Sequence, residues 1–88
     1  MERTIEIKNS LGVHARPAAM FVQTAARFKA KIVVERDGIE VNGKSIMGVL
    51  MLAAERGARL RLRADGSDSS DALTALADLV EVRMFDES

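Results

Sequence analysis

The chain has 88 residues, 48% of them apolar, with 13 basic and 13 acidic side chains, one histidine, one proline and no cysteine. That length holds one domain with one core, and without cysteine a disulfide framework and a thiolate metal site are both excluded. Residues 1–44 carry 8 basic and 5 acidic groups and residues 45–88 the reverse, so neither half makes nucleic acid or an anionic membrane the default partner.

The opening stretch Met-Glu-Arg-Thr-Ile-Glu lacks the positive lead and apolar run of a secretory signal, so a cytoplasmic location is the default expectation. Ile5 and Ile7 alternate with Thr4, Glu6 and Lys8, which predicts a strand with one buried face. From residue 17 to about residue 28, Ala18, Phe21, Val22, Ala25 and Phe28 recur at helical spacing behind Pro17, a residue favoured at a first helical position. Ile32, Val33 and Val34 lead to the hairpin dipeptide Asp37-Gly38, beyond which Ile39 and Val41 alternate with Glu40 and Asn42. A second and a third strand therefore pair antiparallel. A short helix runs from about Ile46 and ends before Gly57, and Arg59-Leu60-Arg61-Leu62-Arg63 alternates as a fourth strand. Asp65-Gly66-Ser67 reads as a turn, with Ser67 or Asp68 as candidate N-cap. Ala72, Leu73, Leu76, Leu79 and Val80 carry the last helix. The order β-α-β-β-α-β-α predicts one α+β domain over residues 1–88. It is an open-faced β-sandwich, a four-stranded antiparallel sheet covered on one face by three helices and wet on the other.

The middle helix breaks the amphipathic pattern. Ile46, Met47, Val49, Leu50, Met51, Leu52 and Ala53 place apolar groups all round it, although a helix on one sheet buries only about half its circumference. The exposed members are either the scattered aliphatics that any surface carries or a docking patch of adaptable Met and Leu side chains. The run over residues 46–54 spans nine positions, too few to cross a bilayer.

His14 stands three positions ahead of the single proline, with Arg16 between them. A histidine there lies just outside a helix N-terminus, where unpaired N–H groups and the positive dipole end form an anion site. That end disfavours a second cation and leaves a ring nitrogen lone pair as a nucleophile. Arg16 adds a planar fork of donors suited to phosphoryl oxygens, and Pro17 stiffens the turn without leaving an N–H unpaired. The competing reading is an ordinary surface or capping histidine. The constellation as a whole favours the nucleophile.

Leu11-Gly12-Val13-His14-Ala15-Arg16-Pro17-Ala18-Ala19, together with Lys44-Ser45-Ile46-Met47-Gly48-Val49-Leu50, resembles the HPr family, the histidine phosphocarriers of the bacterial phosphoenolpyruvate-dependent sugar phosphotransferase system. The resemblance covers essentially the whole chain. It implies that His14 takes a phosphoryl group on Nδ1 from phosphorylated Enzyme I and passes it to a histidine on a sugar-specific IIA domain, with Arg16 assisting and Pro17 in the same motif. It further implies a carrier without cofactor or metal, expected to act as a monomer rather than as an enzyme.

Ser45 reads first as the N-cap of the middle helix. The resemblance adds a compatible role, phosphorylation by an ATP-dependent HPr kinase/phosphorylase, since a phosphate is welcome at a helix N-terminus. It implies slower transfer from Enzyme I and, in some organisms, binding to a catabolite-control repressor through Ile46, Met47 and Leu50. On the first helix, Met20 stands where the family often has a polar residue. Gln23 and Arg27 continue the exposed stripe there, with Arg27 keeping a charge for acidic partners. A purely regulatory protein, dependent on Ser45 and the apolar patch but not on His14, is the alternative function.

Two other classes compete. Residues 38–45, Gly-Ile-Glu-Val-Asn-Gly-Lys-Ser, satisfy a phosphate-loop pattern. Ile39-Glu40-Val41 alternates as a strand where that loop must be flexible, and no apolar run ending in Asp is present to hold magnesium. The β-α-β-β-α-β order also occurs in sheet-based RNA binders, which stack bases on aromatic residues. This chain has three phenylalanines and no tyrosine or tryptophan, and Phe21 and Phe28 look committed to the core. Arg59, Arg61 and Arg63 are expected to pair with acidic neighbours such as Glu6, Glu35 and Glu40.

Overall fold

The computed structural model describes residues 1–87. Its elements are β1 (Glu2–Glu6), α1 (Ala15–Ala26), β2 (Lys31–Arg36), β3 (Ile39–Asn42), α2 (Ile46–Met51), β4 (Arg59–Asp65) and α3 (Ser69–Ala77). A π-helical turn, Asp78–Val82, continues α3, and a last turn covers Met84–Glu87. The strands form one antiparallel sheet in the order β1-β4-β2-β3.

Period-two alternation decides which face is dry. Ile5, Ile32, Val34, Leu60, Leu62 and Ala64 are buried, and the register brings Ile5 opposite Leu60 and Val34 opposite Leu62. Helix residues Ala18, Phe21, Ala25, Ala72, Leu73 and Leu76 close the same core. On the wet face Arg61 pairs with Glu35, Arg63 with Glu40 at 2.9 Å, and Arg59 lies 4.0 Å from Glu6. The arginine row is thus a cross-strand ion-pair ladder, as its spacing predicts. The β2–β3 hairpin turns at Asp37 and Gly38 with φ of 52° and 83°, a left-handed pair that its dipeptide favours.

Several boundaries differ from the sequence expectation. Helix α1 opens at Ala15, so Pro17 is its third residue, not its first; its missing N–H still falls among those that the first turn leaves unpaired. The third phenylalanine, Phe85, is fully buried although Met84, Phe85 and Asp86 all take φ near +50°. That left-handed backbone is costly for ordinary residues, and burial of the aromatic ring offsets it. Residues 38–45 contain β3, and the Lys44 ammonium donates to the carbonyl of Phe28 at 2.7 Å, so the phosphate-loop pattern is a strand followed by a tethered lysine.

Asp68 occupies the N-cap position of α3 but leaves that helix uncapped. Its carboxylate accepts instead the N–H groups of Lys29 at 2.8 Å and Ala30 at 2.9 Å, tying the connection between α1 and β2 to the start of α3. The Lys29 bond is the main reason that the Asp68 carboxyl is held below its ordinary value. A depressed carboxyl stabilises the fold above its unfolded pKa and loses that effect as pH falls through the lower folded value. Asp68→Asn should therefore lower the urea midpoint at neutral pH, with the gap to wild type closing below about pH 4. A gap that stays constant from neutral to acid pH would contradict this assignment.

Candidate functional site

The segment between β1 and α1 is shaped by local bonds and one close approach. Asn9 is fully buried, and its side-chain amide donates to the Gly12 carbonyl at 2.8 Å. The Gly12 N–H returns a bond to the Asn9 carbonyl at 3.2 Å. Gly12 has φ of +70°, and a side-chain carbon there would stand 2.5 Å from the Ala54 carbonyl oxygen. Both facts require glycine. Val13, nearly buried, donates its N–H to that same Ala54 oxygen at 2.8 Å.

His14 follows as the N-cap of α1, extended at φ −90° and ψ −166°. Its carbonyl accepts the first helical bond, from the Ala18 N–H at 2.9 Å, while its ring makes no capping bond and is exposed. The ring is therefore committed to nothing in its own helix. Helix geometry leaves the N–H groups of Ala15 and Arg16 without intrahelical acceptors, so the exposed imidazole, the Arg16 guanidinium and two backbone donors share one helix end. Pro17 is buried beneath them. In the C-terminal turn the Asp86 carboxyl is held low chiefly by the hydrogen bond from Arg83, with a smaller contribution from the charge of Arg16.

Ser45 has the geometry expected of a cap. Its Oγ accepts the Gly48 N–H at 3.1 Å, and its carbonyl accepts the Val49 N–H at 3.0 Å. Beyond it, Ile46 is 44% exposed and Met47 70%, while Leu50 is half-buried against the core. Met20 is likewise half-buried. Arg27 lies at the other end of α1, about 20 Å from His14 at 1.5 Å per residue, with its guanidinium over the Phe28 ring. Helices α1 and α2 pack side by side, with the Lys44 ammonium on the Phe28 carbonyl beyond the end of α1 and the Ala54 carbonyl on the Val13 N–H before its start.

Two further apolar side chains are exposed, Leu11 at 74% and Met51 at 71%. Leu11 opens the His14 motif, and Met51 belongs to the apolar run of the middle helix, so the sequence marked both positions while only the fold shows that both side chains are exposed. Among the described residues no group of three His, Cys, Asp or Glu side chains is placed to hold a metal, and no helix is long and apolar enough to cross a membrane.

Comparison with known proteins agrees over nearly the whole chain. A family model described as the phosphorylation site of the HPr component of the phosphotransferase system matches residues 1–82. The phosphocarrier protein HPr of Neisseria meningitidis serogroup A is 48% identical over 80 residues, covering 91% of this chain and 90% of that one. HPr-C-His from Thermoanaerobacter tengcongensis is 51% identical with a TM-score of 0.94, covering 100% of this chain and 98% of that one. An HPr dimer from the same organism is also 51% identical, with a TM-score of 0.76 and coverage of 96% and 97%.

The close approach at Gly12 sets an expectation. Gly12→Ala should destabilise the fold by about 1–3 kcal/mol, from left-handed strain and the clash with Ala54. Urea unfolding measures it, and a stability equal to wild type would show that the turn relaxes freely.

Proposed function

The chain belongs to the HPr family of phosphotransferase-system phosphocarriers, and on that premise we propose that His14 is the residue that accepts the phosphoryl group from Enzyme I and delivers it to sugar-specific IIA domains. One observation above all supports this reading: the His14 ring is exposed at the start of α1 without a capping bond, beside the Arg16 side chain and two unpaired N–H groups. In the forward step the Nδ1 lone pair forms a bond to phosphorus as the bond from phosphorus to Enzyme I breaks, and that electron pair returns to Enzyme I. His14 keeps its proton on Nε2. The N–H groups of Ala15 and Arg16 and the Arg16 guanidinium offset the phosphoryl charge, and Pro17 holds the turn beneath. The second transfer repeats the exchange with a histidine of the IIA domain, so the protein carries the group and turns over no substrate of its own.

Docking to either partner engages the apolar surface of Ile46, Met47 and Leu50, with Met20 at its rim and Arg27 offered to acidic groups at the far end of α1. Ser45 regulates this surface by phosphorylation. Its Oγ already accepts a helix N–H, so phosphoryl oxygens there meet donors, while the added charge lies beside Ile46 and Met47. An HPr kinase/phosphorylase and a catabolite-control repressor are the corresponding partners. The carrier works in the cytoplasm as a monomer, and a light-scattering mass of two chains would count against that last point.

Intact-mass spectrometry after incubation with Enzyme I and phosphoenolpyruvate should show one acid-labile phosphoryl group that His14→Ala abolishes without unfolding the protein. Folded His14→Ala that still gains the group would refute the assignment. Arg16→Ala should slow acceptance roughly ten- to hundredfold, the effect of one lost charge-assisted hydrogen bond. Ser45→Asp should weaken binding to Enzyme I in calorimetry; unchanged affinity would reduce Ser45 to a helix cap.

A further inference from the structure

The loop that carries His14 takes its shape from the irregular segment between α2 and β4. Val13 N–H reaches the Ala54 carbonyl at 2.8 Å, Gly57 N–H reaches the Ile7 carbonyl at 2.7 Å, and Ile7 N–H reaches the Ala58 carbonyl at 2.9 Å. Gly12 lies directly against Ala54 and Glu55. This supporting segment lacks regular structure of its own, and Ala53 within it is left-handed at φ +47°.

A single side chain from the end of β2 holds that segment. The Arg36 guanidinium donates from Nη1 to the carbonyls of Leu52 at 3.1 Å and Ala53 at 3.0 Å. From Nη2 it reaches both carboxylate oxygens of Glu55, one of them at 2.8 Å. Its side chain is only 23% exposed. The fork therefore grips residues on both sides of Ala54, whose oxygen holds Val13, and it satisfies carbonyls that the end of α2 leaves unpaired. A lysine ammonium, a compact point charge on a flexible stem, has no rigid fork with which to span these acceptors.

We propose that Arg36, through this clamp, is a positioning residue that holds the His14 loop in the geometry required to receive a phosphoryl group. The inference rests on His14 being the acceptor. Group transfer is sensitive to position, and a displacement of about 1 Å can cost about a hundredfold in rate. The clamp also fixes the end of α2, so Met51 and the His14 loop are presented to a partner as one rigid unit. The ladder pair Arg63–Glu40, at 2.9 Å, provides a comparison, because it is an equally close ion pair on the opposite face of the sheet.

The experiment combines amide hydrogen exchange with the kinetics of phosphorylation by Enzyme I and phosphoenolpyruvate, on Arg36→Ala, Arg36→Lys, Glu55→Gln and the control Arg63→Ala. Arg36→Ala should speed Val13 exchange about tenfold while the amides of β2 and β4 exchange as in wild type. Its phosphorylation rate should fall about tenfold, mainly in kcat rather than in the KM for Enzyme I. Arg36→Lys should recover little of either, and Arg63→Ala should match wild type in both. Wild-type Val13 exchange and rate in folded Arg36→Ala would overturn the proposal, as would a uniform speeding of all amides, the sign of a merely structural role. If Arg36→Ala does not fold, Glu55→Gln is judged by the same criteria. Failure of the His14 reading shows separately, as wild-type protein that takes no phosphoryl group or His14→Ala that does, whatever the exchange at Val13.

Discussion

Leu60, Leu62 and Ala64 of β4 face inward while Arg59, Arg61 and Arg63 face water, and this one-sided burial forces every helix onto the same side of the sheet. With β4 between β1 and β2, the helical layer must be shared by α1, α2 and α3, and α1 and α2 come to lie side by side. The stretch that follows α2 thereby meets the start of α1, where the Ala54 carbonyl accepts the Val13 N–H. Had the charged face been apolar as well, the helices could have divided between two layers, and α1 and α2 would not be held side by side.

With His14 as the proposed acceptor, a phosphoryl carrier must reconcile two demands, exposure of its nucleophile to large partners and precise presentation of it. An exposed ring cannot be held by packing around itself, so the precision has to come from beneath. Here it comes from buried Asn9, from Gly12 pressed against Ala54, and from buried Pro17. The helix end supplies donors that are fixed before any phosphate arrives, and such preorganised dipoles cost no rearrangement at the moment of transfer. In the C-terminal turn the Asp86 carboxylate pairs with Arg83 at 2.8 Å, and the Arg16 charge adds to the lowering of its carboxyl.

Ser45 caps α2, and the regulatory role proposed for it would use the same oxygen without conflict. Its oxygen already completes the first turn of α2, a helix of only six residues that has little stability of its own. Any charge added at that oxygen is felt at once by the exposed side chains of the next two residues. The same shortness explains why α2 depends on contacts beyond its last turn, where Arg36 meets the carbonyls of Leu52 and Ala53.

The sequence by itself determined the strands, the hairpin at Asp37-Gly38, the cap at Ser45 and the His14 motif, because each is written in short-range terms: period-two alternation, a turn dipeptide, a residue type at a helix start. It also marked the arginine row of β4 for pairing with Glu35 and Glu40, since alternation puts those residues on one face. Only the tertiary structure decided that Asp68, which reads as a cap for α3, bonds to Lys29 and Ala30 instead. Nor could local pattern show that Phe85 is buried, that Gly12 must be glycine because Ala54 lies against it, or that Arg36 and Glu55 meet. Each of these depends on segments distant in the chain being brought together by burial of the sheet, and no window of neighbouring residues contains that information.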